Sequence, residues 1–331
     1  MKIVVDAMGG DNAPEEIVKG TLKSIEELNI DVILVGQENI IKKNIDKNGK
    51  NFSKKIEIVN AEDVITNEDK PVKAIRKKKK SSMVVGLNLV KDDYGSAFVS
   101  AGNTGALLSG GLFIVGRIKG IQRPSLAPII PTIVGNSILL DVGANADCKP
   151  DFLYQFGIMG SIYAEKVLDK KNPKVGLINI GSEKTKGSKL YIDSYKLLEE
   201  SDLNFIGNIE ARNLLKGEAD ILVCDGFVGN IVLKLTEGLS SELMNQIKIQ
   251  LKGSIKGMIG GALIKNSMKE LKSKFDYNEH GGAPLLGLKS PVIKAHGSSK
   301  NKAFKNAIRQ GKLFYESDSI KFIEEGINKE D

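Results

Sequence analysis

Five short segments concentrate the polar residues from which an anion or carbonyl site can be built: DAMGGDN (6–12), SAGNTGA (100–106), DVGANADCKP (141–150), NIGSEKTKG (179–187) and CDGFVGN (224–230). Lys186, before Gly187, falls at a predicted helix start, where its charge and free backbone N–H groups can together hold an anion. Glu183, three residues earlier, is placed to orient that lysine. Asn230 is a neutral donor at the opening of a predicted long helix, the kind of group that stabilises a developing oxyanion. Any one of these segments also reads as a tight turn with a capping residue. Five of them at the ends of strand-like runs favour one shared site, because ligands of open α/β sheets bind at the carboxyl ends of the strands.

Two familiar phosphate cradles do not fit. Gly9 and Gly10 are adjacent, lack a third glycine three residues on, and are flanked by Asp6 and Asp11, whose carboxylates would repel a pyrophosphate. GSEKTKGS has five residues between its glycines where a P-loop has four, and Lys186 precedes the second glycine. The chain has no Gly-x-Ser-x-Gly elbow, and neither Cys148 nor Cys224 has a histidine nearby in sequence, so a covalent acyl-enzyme has no evident nucleophile. Direct transfer is the simpler chemistry.

The elements that must position these segments are the strand-like runs KIVV, DVILVG, KIEIV, SAFVS, SILLDVG, KVGLINIG, NFIG and ADILVCDG, most of them separated by helical periodicity. That alternation predicts a mostly parallel sheet with helices on both faces, a three-layer α/β/α sandwich. LAPIIPTIVGNSILLDVG carries Gly135–Asn136 between apolar arms, a hairpin signal that makes the sheet mixed. The uncharged stretch 94–116 is long enough to span a bilayer. Its glycines and its Asn103–Thr104 pair fit instead a strand at Ser96–Ser100, a polar turn at Gly102–Gly105 and a buried helix. From Gly226 to about Lys274 the pattern is continuously helical, and HGGAPLLGLKSPVIKAHGSS then reads as a glycine-rich loop. The expectation is a single domain over 1–331 from which a helical hairpin and loop protrude at about 239–290. From Lys302 the chain is helical again and ends in a polar tail.

At 331 residues, 41% hydrophobic and 27% charged, the composition is that of a soluble globular protein with a sizeable core. The two cysteines and two histidines, His280 and His296, lack metal-ligand spacing, and no metal or cofactor is expected. Reduced thiols in a cytoplasmic setting follow from the same count, and the segment from Met1 reads as a first strand and not as a signal peptide. The net charge of +7 suggests an acidic partner, whether nucleic acid, anionic membrane, acidic protein or phosphorylated substrate. The densest basic run, Arg76 to Lys80, is expected on the solvated face of a helix. No aromatic residues interleave with it and the chain has no tryptophan, which argues against stacking on single-stranded nucleic acid.

VDAMGGDNAP, SAGNTGALL, LDVGANADCKP with QFGIMG after it, NIGSEKTKG, DGFVGNIVLK, GGAPLLGL and HGSS occur in order from Lys2 to about Gln310. This series resembles the bacterial phosphate acyltransferases of the PlsX type. The resemblance implies orthophosphate as acceptor, a long-chain acyl thioester on acyl carrier protein as donor, and an acyl phosphate product used by a membrane acylphosphate:glycerol-3-phosphate acyltransferase in phospholipid synthesis. It also implies a homodimeric α/β/α sandwich similar to the isopropylmalate dehydrogenase and phosphotransacetylase group. By motif, transition-state stabilisation falls on Lys186 and Asn230. Substrate contacts fall on Gly9, Gly10, Asn103, Thr104, Gly105, Asn145, Glu183, Gly187, Asp225, His296 and Ser298. Asp6 and Asp11 would fix the Gly9–Gly10 loop by hydrogen bonding. His280 departs from the family pattern, which carries an aromatic residue before GGAPLLGL. A decarboxylating dehydrogenase of similar fold would need metal-binding aspartates on a helix and an arginine cluster. A basic membrane or nucleic-acid binder would leave the polar strand ends unexplained.

In GSIKGMIGGALIKNSMKELKSKF (253–275), Ile255, Met258, Ile259, Ala262 and Leu263 share a helical face. Lysines 252, 256, 265, 269, 272 and 274 surround it, with Glu270 opposing. That is the pattern of a helix lying on an anionic membrane, with Ile255, Met258, Ile259 and Leu263 as the contacts; the same stripe would also serve a partner subunit. Glycines 257, 260 and 261 favour a hairpin with an exposed apolar tip, and the resemblance agrees, since the family is peripherally membrane-associated.

Overall fold

In the computed structural model, residues 1–48, 54–274 and 281–328 are described. The first half holds β1 (Lys2–Asp6), α1 (Glu15–Leu28), β2 (Asp31–Gly36), α2 (Glu38–Asp46), β3 (Ile56–Asn60), α3 (Pro71–Lys77), α4 (Ser82–Lys91), β4 (Ala97–Ser100) and α5 (Thr104–Gly110), which runs into a π-helical turn at Gly111–Val115. There follow β5 (Ser125–Leu126), β6 (Ile129–Thr132), β7 (Gly135–Leu140), α6 (Pro150–Val167), β8 (Val175–Asn179), α7 (Lys189–Glu199), β9 (Phe205–Glu210), a 3-10 helix at Ala211–Lys216 and β10 (Ile221–Val223). The last third is α8 (Gly226–Lys252), α9 (Ile255–Leu263), α10 (Lys265–Lys274), β11 (Gly282–Leu286), β12 (Val292–Ala295), α11 (Asn301–Glu316) and α12 (Ser319–Asn328).

The strands form two mixed, mostly parallel sheets, ordered β3-β2-β1-β4-β12-β11-β5 and β6-β7-β10-β8-β9. The antiparallel pairings are β11 with β12 and β5, and β6 with β7. Although the strands read as continuous apolar runs, they alternate strictly in what they bury, as the two-residue period of a pleated strand requires. Ile3 and Val5 of β1 and Val99 of β4 face a core shared with α1 and α11, whereas Val4 and Phe98 face a second core with α4 and α5. Ile138, Leu140 and Val223 of the smaller sheet join that first core, through Leu153, Phe156 and Tyr163 of α6. Leu139, Leu222 and Cys224 turn to a third, against Val228 and Val232 of α8. The result is an α/β fold with helices packed on the sheet faces.

Three local expectations are corrected. The β6–β7 hairpin exists, but its turn residues are Ile133 and Val134; Gly135 pairs with Thr132, so Gly135–Asn136 already belongs to β7. The segment 281–299 is not a loop. It supplies β11 and β12, and β12 lies beside β4 in the middle of the larger sheet. The helical stretch after Gly226 is broken, as a hairpin requires, but at Gly253–Ser254, where the Ser254 side chain caps α9, and at Ile264; glycines 257, 260 and 261 lie within α9 between these breaks.

Candidate active site

The parallel strands β1, β4 and β12 are neighbours, so the loops at their carboxyl ends meet. Asp6, fully buried at the end of β1, accepts hydrogen bonds from Ser100 Oγ (2.7 Å) and from the Met8 N–H (3.2 Å). The N–H of Gly102 in turn bonds Ser100 Oγ at 3.0 Å. A side chain at Gly9 would sit 2.4 Å from Asp6 Oδ2 and 2.9 Å from the Gly102 nitrogen; only glycine lets the two loops close this far. Asp11 N–H bonds Gly297 O at 2.9 Å and Asn12 Nδ2 bonds Ser298 O at 3.0 Å, tying the first loop to the HGSS turn. Within that turn His296 Nδ1 and Ser298 Oγ lie 2.9 Å apart.

Beneath these loops lies Lys294 of β12, 8% exposed, with its ammonium 3.3 Å from Ala101 O and also bonded to Ala295 O. Burial pushes its pKa down to about 8, against the pull of the Asp11 and Asp6 carboxylates. Burial raises Asp6 above the usual carboxylate range, opposed by hydrogen bonds from Ser82, Ser100 and the loop N–H groups. His296 is held below its ordinary value by burial, then by Lys294, with Lys234 of α8 adding to the effect and Asp11 opposing it.

In the smaller sheet β10 pairs with both β7 and β8, all parallel, so the 141–145, 179–187 and 224–230 segments leave one edge together. Buried Asp141 organises the first: it accepts from the N–H groups of Leu126 (2.8 Å), Val142 (2.8 Å) and Asn145 (2.6 Å). Burial still lifts its pKa to about 6. A Cβ at Gly229 would meet the Asp141 carbonyl oxygen at 1.9 Å, so α8 approaches β7 where no side chain intervenes. Asn230, one residue on, lies against Gly143. In the 179–187 loop Asn179 Nδ2 bonds Lys186 O (3.0 Å) and Asn208 Nδ2 bonds Glu183 O (2.8 Å), fixing the backbone that presents both side chains. Lys186 Nζ is 3.9 Å from Glu183 Oε1 and its side chain is about half exposed.

Several predicted contacts turn out to be engaged by the scaffold. Asn145 Nδ2 bonds Pro124 O (2.8 Å) and Asp141 Oδ2 (3.1 Å). Asp225 caps α8 by accepting from the Val228 N–H (2.9 Å) and takes the Tyr191 hydroxyl at 2.6 Å. Asn103 caps α5 through the Ala106 N–H (2.9 Å) and donates to Thr66 O at 3.1 Å, whereas Thr104 is exposed and Gly105 packs on Pro71. Gly187 backs onto the Asn179 side chain. Lys186 itself lies two residues before Ser188, the N-cap of α7, and so just outside the helix and not in the first turn that carries the free N–H groups. Asn230 sits in the second turn of α8 and does no capping, since Asp225 does.

The two loop groups are linked. Ala144 packs into the core formed by α4 and α5, and Lys234 of α8 lies close enough to His296 to disfavour its protonation. Sequence reasoning missed Lys294, Ser100 and Asn12. Ser100 and Asn12 lie in segments already singled out, and Lys294 could have been found by reading VIKA as a strand. Ile255, Met258, Ile259 and Leu263 are all exposed along α9. His280 lies outside the described residues. Among the described residues, no three His, Cys, Asp or Glu side chains gather as a metal site would need, and no helix is long and apolar enough to cross a membrane.

Residues 1–321 match the family model described as "Fatty acid synthesis protein". A phosphate acyltransferase of Alkaliphilus oremlandii is 52% identical over 99% of this chain and 98% of its own length. One of Thermoanaerobacterium thermosaccharolyticum is 52% identical over 99% and 97%. Among solved structures, a phosphotransacetylase from Streptococcus pyogenes superposes with a TM-score of 0.63 at 18% identity, over 97% of this chain and 94% of that one. A branched-chain phosphotransacylase from Enterococcus faecalis gives 0.59 at 16%, over 95% and 99%; these two likenesses establish the shared fold. Sequence identity this high across the full length, with the strand-end loops in place, makes the chain a member of the PlsX-type phosphate acyltransferase family, acyltransferases of fatty acid and phospholipid synthesis.

Proposed function

We propose that orthophosphate attacks the carbonyl carbon of a long-chain acyl thioester carried by acyl carrier protein, without a covalent enzyme intermediate. The phosphate oxygen forms the new C–O bond, and the carbonyl becomes a tetrahedral oxyanion. When the C–S bond breaks, the proton of hydrogen phosphate passes to the leaving sulfur, so the products are acyl phosphate and free thiol. Lys186 neutralises the phosphate and Asn230 donates to the oxyanion. The observation that carries this reading is that Lys186, in the loop after β8, and Asn230, in the second turn of the helix that follows β10, both lie at the carboxyl ends of adjacent parallel strands. Lys186 remains half exposed and weakly paired, as a group that must bind an incoming anion should be. The decisive experiment is release of carrier-protein thiol with and without added phosphate, with hydroxylamine trapping of the acyl phosphate. Thiol release that ignores phosphate would make the protein a thioesterase.

The setting of this reaction belongs to the same reading. The enzyme works in the cytoplasm as a homodimer, resting peripherally on the anionic membrane, where a membrane acyltransferase consumes the labile product. Support for the membrane contact comes from the exposed side chains Ile255, Met258, Ile259 and Leu263 with lysines around them. Support for the dimer comes from Phe227, Ile231, Leu235, Leu239 and Leu243, exposed at intervals of four along α8, an apolar stripe too long for an unpartnered surface helix.

A further inference from the structure

We propose that the exposed cations of α3 and the turn after it form the docking surface for the acidic carrier protein that delivers the acyl group, an inference that rests on the carrier-protein substrate proposed above. The basic run from Arg76 to Lys80 is not uniform. Lys78 is neutralised by Asp69 (2.8 Å) and Asp63 (3.8 Å), and Lys80 by Glu62 (3.0 Å). These pairs pin the end of α3 to the segment before it. Lys73, Arg76, Lys77 and Lys79 are all exposed and, among the described residues, none has a carboxylate within ion-pair distance. The pinned lysines hold the scaffold and leave the other four cations facing outward.

Two further features separate this patch from an ordinary solvated helix face. The Arg76 guanidinium lies over the ring of Phe113 at 5.7 Å, and that ring is 59% exposed. Arginine and aromatic side chains are both residue types enriched where proteins meet. The patch is also coupled to the site. α3 packs along α5, with Pro71 so close that a Cβ at Gly105 would lie 2.7 Å from its ring. Asn103, the N-cap of α5, reaches back to Thr66 O before α3. A carrier held on α3 therefore sits beside the loop at the carboxyl end of β4. Four unpaired cations on a chain of net charge +7 complement an acidic protein and speed its encounter by electrostatic steering.

The test is Lys73→Glu with Lys77→Glu, two exposed positions one helical turn apart, in the full-length enzyme. The control is Lys171→Glu with Lys174→Glu, which makes the same change in net charge just before β8, at the opposite edge of the smaller sheet from its loops. With acylated carrier protein at low salt, the KM of the α3 variant should rise about tenfold or more, lose most of its dependence on ionic strength, and leave kcat within about twofold. Its KM for phosphate and its activity on acyl-pantetheine should match wild type. A KM shift no larger than the control's would overturn the docking surface. So would equal damage with acyl-pantetheine, which would place α3 in the reaction site, and so would loss of binding to anionic vesicles with an unchanged carrier KM. Wild-type enzyme that turns over acyl-pantetheine but not the acylated carrier would sink the carrier reading itself, a result distinct from all of these.

Discussion

The ammonium of Lys294 lies 3.3 Å from the carbonyl oxygen of Ala101, so a buried cation of β12 is tied to the backbone of the β4 loop. Its other neighbours are the carboxylates of Asp6 and Asp11 on the β1 loop and the imidazole of His296. Lys294→Met leaves those carboxylates without their cation, and turnover should fall about tenfold or more as the loops lose register. The pH dependence gives a sharper check. The folded pKa is depressed from 10.5 to about 8, so this group's stability contribution is present above pH 10.5 and lost as pH falls through 8. Wild-type stability should therefore gain on the variant between pH 8 and 10.5, by up to about 3 kcal/mol. Denaturant titrations at the two pH values read the difference, and parallel curves would refute the buried cation.

Lys186→Ala should reduce the rate by about 10²–10³. Its melting temperature should stay within about one degree of wild type, because a half-exposed lysine 3.9 Å from its acidic neighbour adds little to stability. Retention of more than about a tenth of the activity by a correctly folded variant would remove Lys186 from the reaction.

Asn230→Ala should lower kcat more than it raises KM for the acyl donor, since the role proposed for its amide is donation to the transition state. Because Asp225 holds the α8 cap, this variant should melt normally. Asp225→Ala is the contrasting variant, losing about 1 kcal/mol or more from the cap. If the asparagine variant is the one that melts early, its role is in packing against Gly143.

Met258→Glu with Ile259→Glu should abolish sedimentation with anionic vesicles while preserving activity on soluble acyl carrier protein. Leu235→Glu with Leu239→Glu should instead yield a monomer in analytical ultracentrifugation. An exchange of these two outcomes would make α9 the subunit interface and α8 the surface that meets the membrane.

The sheet strands were legible because each is an apolar run of four to eight residues closed by glycine or a polar turn. The loops at their ends were legible for the same reason. What hid β11 and β12 was their setting: GAPLL and VIKA are short, rich in glycine and proline at their borders, and one carries a lysine, which composition assigns to the surface. Lys294 is buried there beside Asp6 and Asp11, which come from β1 and its loop more than 280 residues away in sequence, a proximity that no local pattern records. Asn230 and Lys186 were visible as residue types, but the capping duties around them were not. Those depend on Asp225 meeting Tyr191 and on Ser188 ending the loop.

Between β5 of one sheet and β6 of the other lie only Ala127 and Pro128. The Ala127 N–H is bonded to Pro284 O on one side, and Pro128 O accepts from the Leu139 N–H on the other. The first core runs beneath this seam without a break, from Ile3 of β1 to Ile138 of β7. In mechanical terms the junction is a weld and not a hinge. Calorimetry should accordingly record one endotherm, with no earlier melting of either sheet.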